Sequence, residues 1–269
     1  MKRFGLFFLS MLLSAFFLTS CLEGGSVTEG TFVCVLDYGK NFNPVLRSSS
    51  GYYSAPNYLN SLISAGDMNL YNCYLVYCRI DDKLPENTPS AIEMNGYTTV
   101  TILGYGEIPK YGLKPFLTDI STILEKEMPI EKALYENYAE CLSDYLFMSH
   151  LVNHANGLEL NWDISYDPST MPTVENSKRY YDLYIRATVR KETEQTSKSN
   201  ITHLTAYNMG SYLRNVASLE QSYLGSSYSA SSSTFTLRVH YVTALDVAEN
   251  SITWKNETLD IQISPFLEY

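Results

Sequence analysis

The sequence predicts a mainly β fold of two domains: a small barrel, then an antiparallel β-sandwich, with one short helix near the boundary. Three observations predict it. Segments in which apolar and polar residues alternate with period two recur along the chain, as half-buried strands require. Two Asn-Gly pairs, Asn95-Gly96 and Asn156-Gly157, lie between β-rich runs, the strongest short signal for a hairpin. The chain also carries 23 Tyr and 11 Phe, whose rings pack well on pleated surfaces.

The elements follow in order. Thr31 to Tyr38 reads as a first strand, and residues 45–66 mix Ser, Tyr, Gly and Pro without period, reading as loop or weak strand. Met68 to Ile80 is a strong strand. Tyr74, Val76, Cys78 and Ile80 share one face, and Tyr71, Cys73, Leu75 and Tyr77 the other. Both faces are apolar, which places this strand in the middle of a barrel. Ala91 to Met94 and Tyr97 to Ile102 flank the first Asn-Gly and read as a hairpin. Phe116, Ile120, Ile123 and Leu124 repeat at helical spacing, so Pro115 to Glu127 is expected as the helix. Met128-Pro129 marks the expected domain boundary, and residues 130–140 fit helix or extended chain equally.

The second half reads as β throughout. Tyr145 to Ala155 and Leu158 to Tyr166 flank the second Asn-Gly. A two-residue turn would set His150 opposite Asp163 and His154 opposite Glu159. Tyr180 to Lys191 alternates cleanly, with Tyr181, Leu183, Ile185, Ala187 and Val189 inward. Thr234 to Thr243 repeats the pattern, and Ile252 to Trp254 and Leu259 to Ile263 supply the last strands. Ser222 to Ser233, rich in Ser, Gly and Tyr, reads as an exposed loop.

The start of the chain carries a separate message. Lys2 and Arg3 precede a run from Phe4 to Leu18 that is apolar apart from Gly5, Ser10 and Ser14. That run is shorter than the roughly 20 residues a spanning helix needs, so it reads as a signal-peptide core. It ends in Leu18-Thr19-Ser20-Cys21, which looks like a bacterial lipobox, cut before a lipidated cysteine. The expected organisation is a signal over 1–20, a tether over 21–30, a barrel domain over 31–128 and a sandwich over 129–269. This places the chain in the cell envelope, lipid-anchored through Cys21 and expected at the outer membrane.

Composition narrows the partners. Losing Lys2 and Arg3 takes the formal charge from −10 to −12. An acidic surface disfavours nucleic acid and anionic lipid and tolerates cationic partners. Cys34, Cys73, Cys78 and Cys141 remain beside Cys21, and an oxidising compartment allows disulfides among them in three full pairings. Cys73 and Cys78 fall on opposite strand faces and should not pair with each other.

No pattern specifies chemistry. His150 and His154 have the spacing of zinc ligands on a helix, but on a strand they stand about 13 Å apart, too far to share one ion. No Gly-x-Ser-x-Gly elbow or phosphate-cradling glycine loop occurs, and no cofactor is expected. The close acid pairs Asp81 and Asp82, Glu125 and Glu127, and Glu192 and Glu194 are the only carboxylate candidates for a hydrolase. Tyr223 and Tyr228, in the Tyr-Ser segment, are the candidate contact residues, since adaptable binding loops use that pairing.

Taken together, Leu18-Thr19-Ser20-Cys21, the Gly66 to Ile80 strand, the aromatic-rich Tyr145 to Tyr166 hairpin and the Phe235 to Ile263 strands resemble the NigD-like lipoproteins of gut and oral Gram-negative anaerobes. The resemblance is one of pattern over nearly the full length. It implies an N-terminal OB-like barrel, a C-terminal sandwich and an association with bacteriocin operons and immunity, and it brings no catalytic residues. The expectation is therefore a non-enzymatic envelope protein that binds or shields, through a protein or peptide partner. The alternatives are a glycan-binding surface module, which needs exposed rings, and a carboxylate hydrolase, which needs two acids in one cleft.

Overall fold

The computed structural model describes residues 27–115 and 119–267. The lipobox and Cys21 lie outside the described residues. The chain divides into two compact units, Met1–Lys110 and Tyr111–Tyr269; Met128-Pro129, the expected boundary, sits inside the second.

In the first unit five strands close a barrel. They are β1 (Val27–Tyr38), β2 (Pro44–Ser48), β3 (Gly51–Ser54), β4 (Cys73–Asp81) and β5 (Thr98–Ile108), in the order β1-β2-β3-β5-β4 with β4 closing on β1. That order, with β3 and β5 parallel, is the OB arrangement. The barrel begins earlier than expected: Val27 to Gly30 belongs to β1, paired with β4 from Asp81 to Cys78, so that part of the supposed tether is strand.

Alternation decides the interior. Cys34, Leu36, Leu46, Tyr74, Val76, Cys78 and Val100 fill it, while Leu75 and Tyr77 on the opposite face of β4 are half-buried. Helix α1 (Pro56–Ala65) closes one end with Leu59 and Leu62. This corrects the reading of 45–66 as loop or weak strand. The helical spacing of Leu59, Leu62 and Ile63 is diluted by Asn and Ser, but Pro56 at the first turn and Gly66 at φ +75° after the last mark both ends.

The first Asn-Gly hairpin is also corrected. Pro89–Asn95 forms a second helix, α2, and Gly96 ends it at φ +79°. A left-handed glycine serves a helix C-terminus as well as a hairpin. Here Pro89 favours the helix.

The second unit is one curled sheet. It contains β6 (Lys110–Lys114), β7 (Glu127–Met128), β8 (Ala139–Leu142), β9 (Tyr145–Ala155), β10 (Glu159–Ser165), β11 (Thr173–Glu175), β12 (Lys178–Lys191), β13 (Lys198–Asn208), β14 (Thr234–Asp246) and β15 (Ser251–Gln262). The strand order is β15-β14-β12-β10-β6-β13-β9-β8, with β7 and β11 added to β12. The curl stacks β9 against β10: the His150 ring lies 4.3 Å from Trp162, nearly parallel. The pairings are mostly antiparallel, but β12 with β14 and β10 with β6 run parallel.

The core matches the alternation read from sequence. Tyr181, Leu183, Ile185 and Ala187 of β12 and Phe235, Leu237, Val239 and Tyr241 of β14 are all buried. A third helix, α3 (Gly210–Leu224), adds Tyr212, Leu213, Val216 and Ala217 to it.

Two further expectations fail here. Asn156-Gly157 does reverse the chain, with Leu158 N–H bonded to Ala155 O at 3.3 Å, but β9 and β10 do not pair. Only Gly157 of the two takes positive φ, whereas a hairpin turn of this type needs it at both. The turn therefore carries the chain across the curl. The helix expected over 115–127 is also absent from 119–127, which runs as turns into β7. Arg186 takes the Asp119 and Thr122 carbonyls at 2.6 Å each, acceptors that a helix would use internally.

Candidate functional site

Because β9 pairs with β13, the expected charge pairs of the two histidines do not form. His150 stands opposite His203 and His154 opposite Ser199. Glu159 instead pairs with Arg190 and Lys191, and Asp163 with Lys114.

His150 is fully buried, and burial pushes its pKa down to about 3 despite the bond to Ala133. The ring is thus neutral near pH 7. Nδ1–H must donate to the Ala133 carbonyl at 2.6 Å, so Nε2 is the acceptor and takes the Tyr207 hydroxyl at 2.8 Å, with Thr205 Oγ1 2.9 Å away. His154 Nδ1–H donates to Ala155 O, leaving Nε2 to accept from His203 Nε2–H at 2.7 Å. Burial, then the neighbouring His154, lowers His203 to about 4. The three rings form a hydrogen-bonded cluster, with His150 and His203 held neutral near pH 7. Among the described residues no three His, Cys, Asp or Glu side chains gather as a metal ion would need.

The groups with chemistry to offer a partner lie on the outer face of β12, β14 and β15. Alternation turns Tyr180, Asp182 and Tyr184 outward from β12, whereas Arg186 on the same face is buried against the turns over 119–126; the parallel register sets Arg238 beside Asp182 and His240 beside Tyr184. Arg238 grips Asp182 through Nε (2.5 Å) and a second nitrogen (3.0 Å) and reaches Glu175 at 2.7 Å. His240 Nε2 lies 2.6 Å from the same Asp182 oxygen, and its ring stacks on Tyr184 at 4.6 Å and 10°. Trp254 meets Tyr184 edge-on at 5.7 Å and donates its N–H to Ile120 O. The Arg238 guanidinium stands 4.6 Å from the Tyr180 ring.

Burial alone would raise Asp182. The hydrogen bonds from His240, Arg238 and Thr173 outweigh it and hold the carboxyl well below the usual range. Asp182 therefore stays charged and has no proton to give. Each ring on this face is braced by a neighbour, so the face presents fixed, half-buried aromatic surface flanked by paired charges, an arrangement suited to contact. Sequence alternation pointed Asp182, Tyr184 and Arg186 outward. It did not show the ladder, which needs the parallel β12–β14 register.

Tyr223 is exposed, on the last turn of α3, with its ring 4.8 Å from the Arg179 guanidinium. Tyr228 follows the helix and packs against the core. The segment expected as a loop thus begins as helix, and the two rings stand in different settings.

The three sequence-derived acid pairs do not form catalytic arrangements. Glu127 is locked on Arg186, Glu192 pairs with Lys126, and Asp81 accepts from Lys83 N–H at 2.9 Å. Glu220 and Asp260 share a cleft of about 320 Å³. Both Glu220 oxygens there are bound by Arg179 at 2.7 Å, one also by Tyr181, and Asp260 accepts from Thr236. Trp162 is buried, whereas Trp254 is half-buried. Cys34, Cys73, Cys78 and Cys141 are all thiols.

No family model and no curated protein matches the chain. Solved structures do. An uncharacterized protein from Parabacteroides merdae superposes with TM-score 0.68 at 17% identity, over 87% of this chain and 99% of that one. A putative toxin-related protein from Parabacteroides distasonis gives 0.50 at 14%, over 89% and 96%. A NigD-like immunity protein from Bacteroides caccae gives 0.41 at 12%, over 86% and 92%. At these identities the likeness is one of fold, and the chain has the same two-part β architecture as the Parabacteroides proteins, the OB-like barrel and sandwich that the sequence resemblance implies.

Proposed function

We propose that this chain is a lipid-anchored, non-catalytic envelope protein that binds a polypeptide partner in an immunity-type role. The observation that carries the binding half is the braced outer face of β12, β14 and β15, where half-buried aromatic rings and paired charges lie beside the turns over 119–126. Rigid Tyr and Trp surface offers contact area at low entropic cost. The anchor half rests on residues 2–21, and the formal charge of −12 after cleavage suits interception of a cationic toxin before it reaches the bilayer. A fold shared with a protein described as putative toxin-related agrees with this reading.

The test is genetic. Deleting the gene should raise sensitivity to cationic bacteriocins from co-resident strains, and wild-type protein should restore resistance. Cys21→Ser should release the protein from membranes, abolish labelling by a palmitate analogue and fail to restore resistance. Unchanged sensitivity in the deletion strain refutes the role.

A second reading is favoured by one observation, the half-buried Trp254 beside Tyr184. Rings so placed can stack on sugars. Glycan-array binding that is lost in Trp254→Ala would select this reading over the first.

A further inference from the structure

The curled sheet has two ends, β8 and β15, and each pairs on one side only. The segment Ile130 to Leu134 bridges part of the seam between the two layers. Ile130 N–H bonds Val242 O on β14, Glu131 N–H bonds Leu151 O on β9, and Leu134 N–H bonds Glu257 on β15. Beyond that bridge the seam opens into a cleft of about 320 Å³, walled by Ala139, Cys141 and Ser143 on one side and Leu259 to Gln262 on the other, with Phe266 at its end.

Hydrogen-bond parity shows what the walls present. Ser149 N–H bonds Tyr138 O across β8 and β9, which makes these two residues a bonded pair. Bonded and non-bonded pairs alternate in an antiparallel ladder. Ala139 and Cys141 therefore aim their N–H and C=O groups away from β9, towards the seam. Ile263 N–H bonds Ser233 O by the same logic, so Asp260 and Gln262 aim theirs away from β14.

Both walls thus carry main-chain donors and acceptors at strand spacing, and among the described residues no strand pairs with them. The Ser143 hydroxyl on the same wall is buried without a partner. Leu146, Leu259, Ile261, Pro265 and Phe266 supply its apolar part and Gln262 a further polar side chain, with Asp260 its one charged residue and Glu140 next in sequence to two wall residues.

We propose that this open seam takes an extended, basic segment of a partner polypeptide, which adds as a strand to the edge of β8. The inference rests on the binding role proposed above and gives it a mode. Main-chain bonds would supply affinity. Alternate side chains would fill the apolar floor, and cationic ones would meet Asp260 and Glu140.

The test uses the mature chain and a fluorescent nine-residue peptide of alternating Val and Lys, beside a twin N-methylated at every second residue. Strand addition predicts at least tenfold weaker binding of the twin by anisotropy. It also predicts slowed amide exchange confined to Ala139 and Cys141. Ala139→Pro removes one outward N–H at an edge position where proline is tolerated, and should weaken binding about tenfold with an unchanged melting profile. The N-methyl comparison on wild-type protein decides the matter if that variant folds poorly.

Equal binding of the twin overturns the proposal, as charge alone would then explain capture. Protection elsewhere overturns it too, as does protection that arises without peptide through self-association. In the deletion strain, resistance restored equally by wild type and Ala139→Pro refutes the seam alone. No restoration by wild type refutes the immunity role.

Discussion

Glu127→Gln should be among the most damaging conservative changes in the second unit. Arg186 is 1% exposed and the Glu127 side chain is fully buried, joined by two bonds of 2.5 and 2.6 Å. The same guanidinium donates to Asp119 O and Thr122 O, so one cation pins the turns over 119–126 to β12. Gln keeps the shape but removes the countercharge and points an N–H₂ group at a buried guanidinium. Breaking a buried pair from one side costs about 3–5 kcal/mol. At roughly 2–4 °C per kcal/mol for a domain of this size, Tm should fall by about 6–20 °C. Trp254 stands 5.7 Å from Arg186, so its fluorescence should follow the loss in a thermal or urea titration. Replacing both partners, Glu127→Leu with Arg186→Met, removes the stranded charge and should recover part of the loss. A Tm drop below about 3 °C for Glu127→Gln, or a double variant worse than the sum of the singles, would refute the view that the pair's charge holds this segment.

Other predictions follow from the same geometry. His150 is neutral when folded, with its pKa lowered to about 3, so below its unfolded value near 6.5 only the unfolded chain takes the proton; stability should fall with acidification by about 1.4 kcal/mol per pH unit from this residue, and His150→Gln should flatten the urea-midpoint curve between pH 6 and 4. Glu220→Gln leaves Arg179 and the Tyr181 hydroxyl short of acceptors and should cost about 1–3 kcal/mol in urea titration. Gly96→Ala meets both a left-handed backbone at φ +79° and the Lys40 side chain 2.9 Å from the new Cβ; unfolding of the first unit should show a loss of about 1 kcal/mol, and a neutral result would mean that α2 ends differently.

Strands were legible because one period governs them. The inward set of β12, from Tyr181 to Ala187, is buried residue for residue as alternation requires. What alternation does not carry is which strands pair. Asn156-Gly157 signals a reversal, and the chain reverses, but a reversal can lie in the plane of a sheet or cross between layers. Here it crosses, and His150 of β9 meets Trp162 of β10 ring to ring instead of Asp163 across a ladder. Short helices were hidden for a different reason. In α1 and α2 the punctuation at the ends, Pro56 with Gly66 and Pro89 with Gly96, is clearer than the seven to ten residues between, too few for a firm period.

The proposed contact surfaces were less legible still, because each is assembled by pairing rather than by local sequence. Asp182 and Arg238 are 56 residues apart, and only the parallel register of β12 and β14 makes them an ion pair beneath the Tyr184–His240 stack. The seam is a further step removed, because it depends on where pairing stops. Nothing in Ala139-Glu140-Cys141-Leu142 marks it as an edge; its outward groups acquire meaning only once β9 is known to spend its other side on β13. A β protein of this kind therefore shows its interior in its sequence and its partners in its topology, and the residues to mutate first are those whose neighbours, rather than whose identities, set them apart.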